Sequence, residues 1–128
     1  MTVEECQYSG VDVRDGAKLD ATRCQFHQNG LSGVFVEDST TTARLTNCTS
    51  HHNKYDGVHA SNGAVVDLMG EETSVHDNKG DGLSAWYRGT TINVYQPCVL
   101  NDMSHGNKID KISKWNTAAS FDQKDSKK

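Results

Sequence analysis

Cys24-Gln25-Phe26-His27-Gln28-Asn29-Gly30-Leu31-Ser32-Gly33-Val34-Phe35-Val36 is answered 24 residues later by Cys48-Thr49-Ser50-His51-His52-Asn53-Lys54-Tyr55-Asp56-Gly57-Val58-His59-Ala60. After 25 more residues comes Thr73-Ser74-Val75-His76-Asp77-Asn78-Lys79-Gly80-Asp81-Gly82-Leu83-Ser84-Ala85. A worn copy runs from Cys98 to Ile109, and a shortened one opens the chain as Cys6-Gln7-Tyr8 followed by Gly10-Val11-Asp12-Val13. The shared frame is a Cys or Thr, an apolar residue two on, an Asn, and then Gly-apolar-x-apolar. Self-similarity at this period marks a repeat architecture, in which each unit buries its apolar face against the next.

Within each copy apolar and polar residues alternate over three to five positions, the period of a half-buried strand and not of a helix. A further alternating run follows each Gly strand: Ala17-Lys18-Leu19-Asp20-Ala21, Ala64-Val65-Val66-Asp67-Leu68 and Thr90-Thr91-Ile92-Asn93-Val94. Three short strands and three turns per repeat make one coil of a parallel β-helix, an all-β solenoid expected here to have four to five coils. Coils stack about 4.8 Å apart, so equivalent residues form columns. The reading places Cys6, Cys24, Cys48, Thr73 and Cys98 in one inward column, and Tyr8, Phe26, Ser50, Val75 and Leu100 in the next. The second strand supplies Val11, Val34, Val58, Leu83 and Asn107, then Val13, Val36, Ala60, Ala85 and Ile109. Asn29, Asn53 and Asn78 stack at a turn. Gly33, Gly57, Gly82 and Gly106 are read as turn positions that favour a residue without Cβ.

Composition agrees with a narrow tube. The chain has 128 residues and is 34% hydrophobic, which suits a fold with few inward side chains per coil. Its net charge is −4 and it carries no basic block, so nucleic acid is not an expected partner. No apolar stretch is long enough to span a bilayer, and the first residues lack an apolar signal core, so no membrane partner is expected either. The four cysteines show no CxxC spacing; Cys24, Cys48 and Cys98 are expected to be buried and reduced, which favours an intracellular setting. The sequon Asn47-Cys48-Thr49 points the other way, but within the packed repeat. Residues 1–115 are assigned to the solenoid, with Ile109, Ile112 and Trp115 as a C-terminal cap. Residues 116–128 are assigned to a polar, flexible tail. The first coil has no evident cap, which leads to an expectation of homo-oligomers.

Three outward groups are candidates for function. His27, His51 and His76 share a column, with Asn101 in its fourth place; imidazoles at that spacing suggest Zn²⁺ or Cu²⁺, or acid–base work. Asp56 and Asp81 fall in the turn before the glycine, in a column with Ser32 and His105, and suggest Ca²⁺, although a calcium cage needs six to eight oxygens. Phe35 and His59 stand beside Trp86, with Tyr87 and Arg88 at the following turn; exposed aromatics with polar neighbours suit a sugar ring or a peptide.

Over roughly residues 3 to 110 the frame resembles the repeats of the pectate-lyase-like superfamily of right-handed parallel β-helices. The resemblance implies the fold, and among the family's members are polysaccharide lyases and epimerases. Their catalytic motifs are not matched. The Asp-Pro-His-Glu of the epimerases is absent, and Ser104-His105-Gly106 and Lys108-Ile109-Asp110 echo only degraded forms of polygalacturonase elements. No catalytic residue is assigned. The leading expectation is a non-catalytic module that binds a carbohydrate or protein partner or assembles with itself. The alternatives are a polysaccharide lyase or epimerase, and a metal-binding protein built on the histidine column. No cofactor is required by the leading reading; Ca²⁺ and Zn²⁺ are the ions the alternatives would use.

Overall fold

The computed structural model describes residues 2–87, 89–96 and 107 in full, and the backbone of 104–105, 112–115 and 120–124. Each coil supplies three strands. The first has β1 (Thr2–Glu4), β2 (Val11–Val13) and β3 (Lys18–Thr22); the second β4 (Gln25–His27), β5 (Val34–Glu37) and β6 (Thr42–Thr46). The third has β7 (Thr49–His51), β8 (Val58–Ser61) and β9 (Val65–Met69); the fourth β10 (Ser74–His76), β11 (Leu83–Trp86) and β12 (Thr91–Tyr95). Beyond them lie β13 (Ser104–His105), β14 (Ile112–Trp115) and β15 (Ser120–Lys124). Every pairing is parallel and links one coil to the next. The result is three five-stranded sheets, β1-β4-β7-β10-β13 (sheet A), β2-β5-β8-β11-β14 (sheet B) and β3-β6-β9-β12-β15 (sheet C). This is the expected parallel β-helix.

The core is a stack of columns. Val34, Val58 and Leu83 lie in register and are almost wholly enclosed, as are Val36, Ala60 and Ala85. Sheet C adds Ala43, Val66 and Ile92, then Leu45, Leu68 and Val94. Sheet A adds Phe26, Ser50 and Val75. The polar Ser50 is tolerated there because its hydroxyl donates to the Gly57 carbonyl at 2.7 Å and accepts from Asn53 Nδ2 at 3.1 Å. A buried hydroxyl without such partners would be costly.

Asn29, Asn53 and Asn78 form the anticipated ladder. The Oδ1 atoms of Asn53 and Asn78 each accept both the backbone N–H and the side-chain amide of the Asn one coil before, at 2.9 to 3.2 Å. The residue preceding each Asn is left-handed: Gln28 (φ 56°), His52 (φ 55°) and Asp77 (φ 54°). A non-glycine residue is strained there, and the ladder holds the backbone in place one residue later.

The glycine column has a different cause from the one read in the sequence. Gly33 and Gly57 are not among the residues with positive φ; those glycines are Gly16, Gly63, Gly70 and Gly89. Coils approach closely instead. A Cβ on Gly57 would sit 2.8 Å from Asn78 Nδ2 and 2.8 Å from the Gly82 carbonyl oxygen, and would overlap Val75.

The first and last copies are displaced from the expected columns. Val3, not Tyr8, pairs with Phe26, and Tyr8 lies on the turn, 65% exposed. Cys6 stands at the Asn position, not in the Cys column: its N–H donates to Asn29 Oδ1 at 3.1 Å. Matching Cys6 to Cys24 ignores the turn, which keeps four residues from Cys6 to Gly10 just as from Asn29 to Gly33. At the far end Val75 pairs with Ser104 and His76 with His105, so His105 takes the place expected for Asn101 and leaves the aspartate column. Asn107 continues the Asn ladder, accepting from Asn78 N and Nδ2 at 2.9 Å, and does not join the valine column. Ile112 pairs with Leu83 and Lys114 with Ala85 in the places expected for Asn107 and Ile109. The connection between β12 and β13 is longer than its predecessors, and connection length leaves no mark on a strand's alternation. Ile112–Trp115 is therefore a further strand, paired along β11. Ser120–Lys124, in the stretch expected as a tail, pairs along β12. Cys98, Leu100, Asn101 and Ile109 lie outside the described residues.

Candidate functional site

Alternation sends every second side chain of a strand outward, and parallel register then lines outward residues up coil by coil. Sheet B carries the most varied outward face. Asp12, Phe35, His59 and Ser84 occupy one column, and Glu37, Ser61 and Trp86 the next. The Phe35 and His59 rings stack with centroids 5.1 Å apart and planes 8° from parallel. Trp86 meets His59 at 5.1 Å but is turned by 66°, out of the stack. Tyr87 follows at 6.2 Å from Trp86. It is 43% exposed and left-handed at φ 77°, an unusual conformation for a bulky residue. The row therefore runs Phe35, His59, Trp86, Tyr87 across neighbouring coils. Arg88 lies outside the described residues.

His59 is fixed from the side. Its Nδ1 lies 3.0 Å from Asp56 Oδ2, in the turn that feeds the same strand, and both side chains are largely enclosed. A carboxylate only accepts, so Nδ1 carries the proton and in the neutral ring Nε2 is the acceptor. Asp56 Oδ1 in turn accepts the Asp81 backbone N–H at 2.8 Å. One Asp56 oxygen thus faces His59 and the other Asp81 N.

Arg14 completes the lower end of the row, and the sequence reading did not single it out. Its guanidinium lies 5.1 Å from the Phe35 ring centroid, a cation–π distance. It bonds Asp12 at 2.7 Å and Glu37 at 3.1 Å. The hydrogen bond to Asp12 raises the guanidinium pKa above its ordinary value, against the opposing effect of desolvation. Glu37 also accepts from Asn62 Nδ2 at 2.9 Å. A shallow groove of about 230 Å³ runs beside this end, lined by Tyr8, Ser9, Asp12, Arg14, Leu31 and Phe35. Arg14 was findable: once Val13 is aligned with Val36, Arg14 falls beside Glu37.

On sheet A the histidines form a ladder. His27 and His51 stack at 4.8 Å and 3° from parallel, and His51 and His76 at 4.9 Å and 1°. Each Nδ1 faces the side chain of the next residue: Gln28 Oε1 at 3.0 Å, His52 Nδ1 at 2.6 Å and Asp77 Oδ2 at 2.8 Å. Glu4 meets His27 Nε2 at 2.8 Å. Burial, followed by the neighbouring His76, His27 and His52, lowers the His51 pKa to about 4. Parallel rings do not aim their nitrogens at one point, and among the described residues no group of three His, Cys, Asp or Glu side chains is arranged to hold a metal ion.

Three in-register sheets around one closed core are the geometry of a β-helix, and a family model described as the right-handed β-helix region matches residues 1–99. The chain belongs to the right-handed β-helix family. No curated protein and no solved structure gave a match. Membership in the β-helix family accounts for the ladders and the closed core, whereas chemistry resides in the outward side chains grafted on them. In this β-helix protein the sheet B face joins rings, carboxylates and an oriented imidazole within a few coils. The sheet A face offers a column of stacked histidines, each with a different side chain at its Nδ1.

Proposed function

We propose that this protein is a β-helix binding module, without catalysis of its own, that takes a carbohydrate on the outer face of sheet B. The observation that carries the reading is the row Phe35, His59, Trp86 and Tyr87, in which Trp86 is turned out of the stack. Sugar rings present apolar C–H faces and polar edges, so an aromatic ring bordered by hydrogen-bonding groups matches both. Asp12, Glu37, Asn62 and His59 supply that border. A protein segment would use the same rings, and a lyase or epimerase would show turnover.

The test is a glycan array followed by titration. Binding should fall about tenfold or more in Trp86→Ala, as for a central aromatic anchor, while the melting temperature stays near that of the parent. Retained binding in that variant would move the site elsewhere. Release of unsaturated products from uronate polymers would replace the binding reading with an enzymatic one.

A further inference from the structure

We infer that the sheet B face selects an uncharged sugar chain and rejects polyuronates, with His59 Nε2 accepting a hydrogen bond from a sugar hydroxyl. The inference rests on the binding reading above and adds the ligand class. Its first ground is charge. Against the Phe35 and His59 rings and the guanidinium over them, the described charged side chains are Asp12, Glu37, Asp56 and Arg14, while the turns that feed this face also carry Lys54, Lys79 and Asp81. Arg14 is already committed, at 2.7 Å to Asp12 and 3.1 Å to Glu37, and lies over Phe35. An incoming uronate carboxylate would meet like charges within a few ångströms and a guanidinium whose charge is already balanced.

The second ground is hydrogen-bond polarity. Carboxylate oxygens accept, and so does His59 Nε2 once Asp56 has claimed the Nδ1 proton at 3.0 Å. Acceptors suit the hydroxyls of a neutral sugar, which donate, and offer nothing to a carboxylate, which also accepts. Asp56 is itself held by the Asp81 N–H at 2.8 Å. Asp56 is thus a positioning residue: it sets the tautomer of His59 and is the reason the ring presents an acceptor between Phe35 and Trp86.

The experiment uses the whole chain and a matched panel: oligosaccharides of mixed-linkage β-glucan, arabinoxylan and galactan against oligogalacturonate and oligoalginate. The expected result is binding to at least one neutral member and none to the acidic ones, with affinity reduced several-fold in His59→Ala and in Asp56→Asn. Nitrogen-15 NMR of the His59 ring separates positioning from folding. The parent should show the Nδ1-protonated tautomer, and Asp56→Asn should shift it toward Nε2 protonation with the rest of the spectrum preserved. Asp12→Asn combined with Glu37→Gln releases Arg14, and should raise affinity for oligogalacturonate by about tenfold, because a free guanidinium pairs with carboxylate in a charge-assisted, bidentate way. Preference of the parent for the acidic oligosaccharides would overturn the inference and leave the binding reading standing. Absence of binding to every member would overturn the binding reading itself.

Discussion

Asn53 is fully enclosed, and its side chain serves three coils at once. Its Oδ1 accepts from Asn29 N and Nδ2 at 3.2 and 3.0 Å, and its Nδ2 reaches the Phe26 carbonyl at 3.2 Å and Asn78 Oδ1 at 2.9 Å. Replacing it with alanine strands the Asn29 donors and the Phe26 acceptor out of reach of water. We expect Asn53→Ala to destabilise the fold by about 1–3 kcal/mol, the cost of buried polar groups left without partners, measured as a shift in the urea unfolding midpoint. An unchanged midpoint would mean that the ladder adds nothing to stability. The importance of this residue was legible in the sequence, since Asn recurs at one place in the frame. That Cys6 stands at the bottom of the same column, bonded through its backbone N–H, was not legible. A main-chain donor leaves no signature in residue type.

At the scale of an element, sheet A collects its histidines on one face, and their proximity makes the sheet sensitive to acid. The groups facing His51 are His27 and His76 above and below it, His52 beside it, and Asp77, with Glu4 on the far side of His27. Folding lowers the His51 pKa from the ordinary 6.5 to about 4. The unfolded chain therefore takes up a proton at a higher pH than the folded one. Stability is full above pH 6.5, falls as the pH drops from there toward 4, and changes no further through this group below that. The melting temperature should decline across that interval, and His51→Gln should decline less. Equal slopes in the two proteins would assign the acid sensitivity to other groups. The ladder itself could be read from the repeat, but its outermost place could not. In backbone register His105 follows His76, because the connection after β12 is longer than its counterparts.

For the whole molecule, closure of three sheets around one core isolates the cysteine column. Cys24 and Cys48 are buried free thiols, and burial raises the Cys48 pKa. A thiol labels through its thiolate and needs access. In native buffer Cys24 and Cys48 should label slowly, Cys6 faster because it is only half-buried, and all three rapidly in urea. Residue-resolved mass spectrometry of the labelled protein checks this order. Fast native labelling of Cys48 would show that the coils separate readily. Cys98 lies outside the described residues.

What the sequence by itself determined was the architecture: a two-residue alternation nested in a repeat of 24 to 25 residues requires strands, and columns of Val34-Val58-Leu83 and Asn29-Asn53-Asn78 follow from equal spacing. Only the tertiary structure decided the alignment of the first and last coils, because connection lengths vary without altering any strand's pattern. It also decided why Gly57 is glycine, since the crowding comes from Val75, Asn78 and Gly82 on the next coil. The site belongs to this second class. Arg14 over Phe35, and Asp56 against His59, are contacts between side chains whose meeting depends on inter-coil register and turn conformation, and neither is written in the order of residues along one strand.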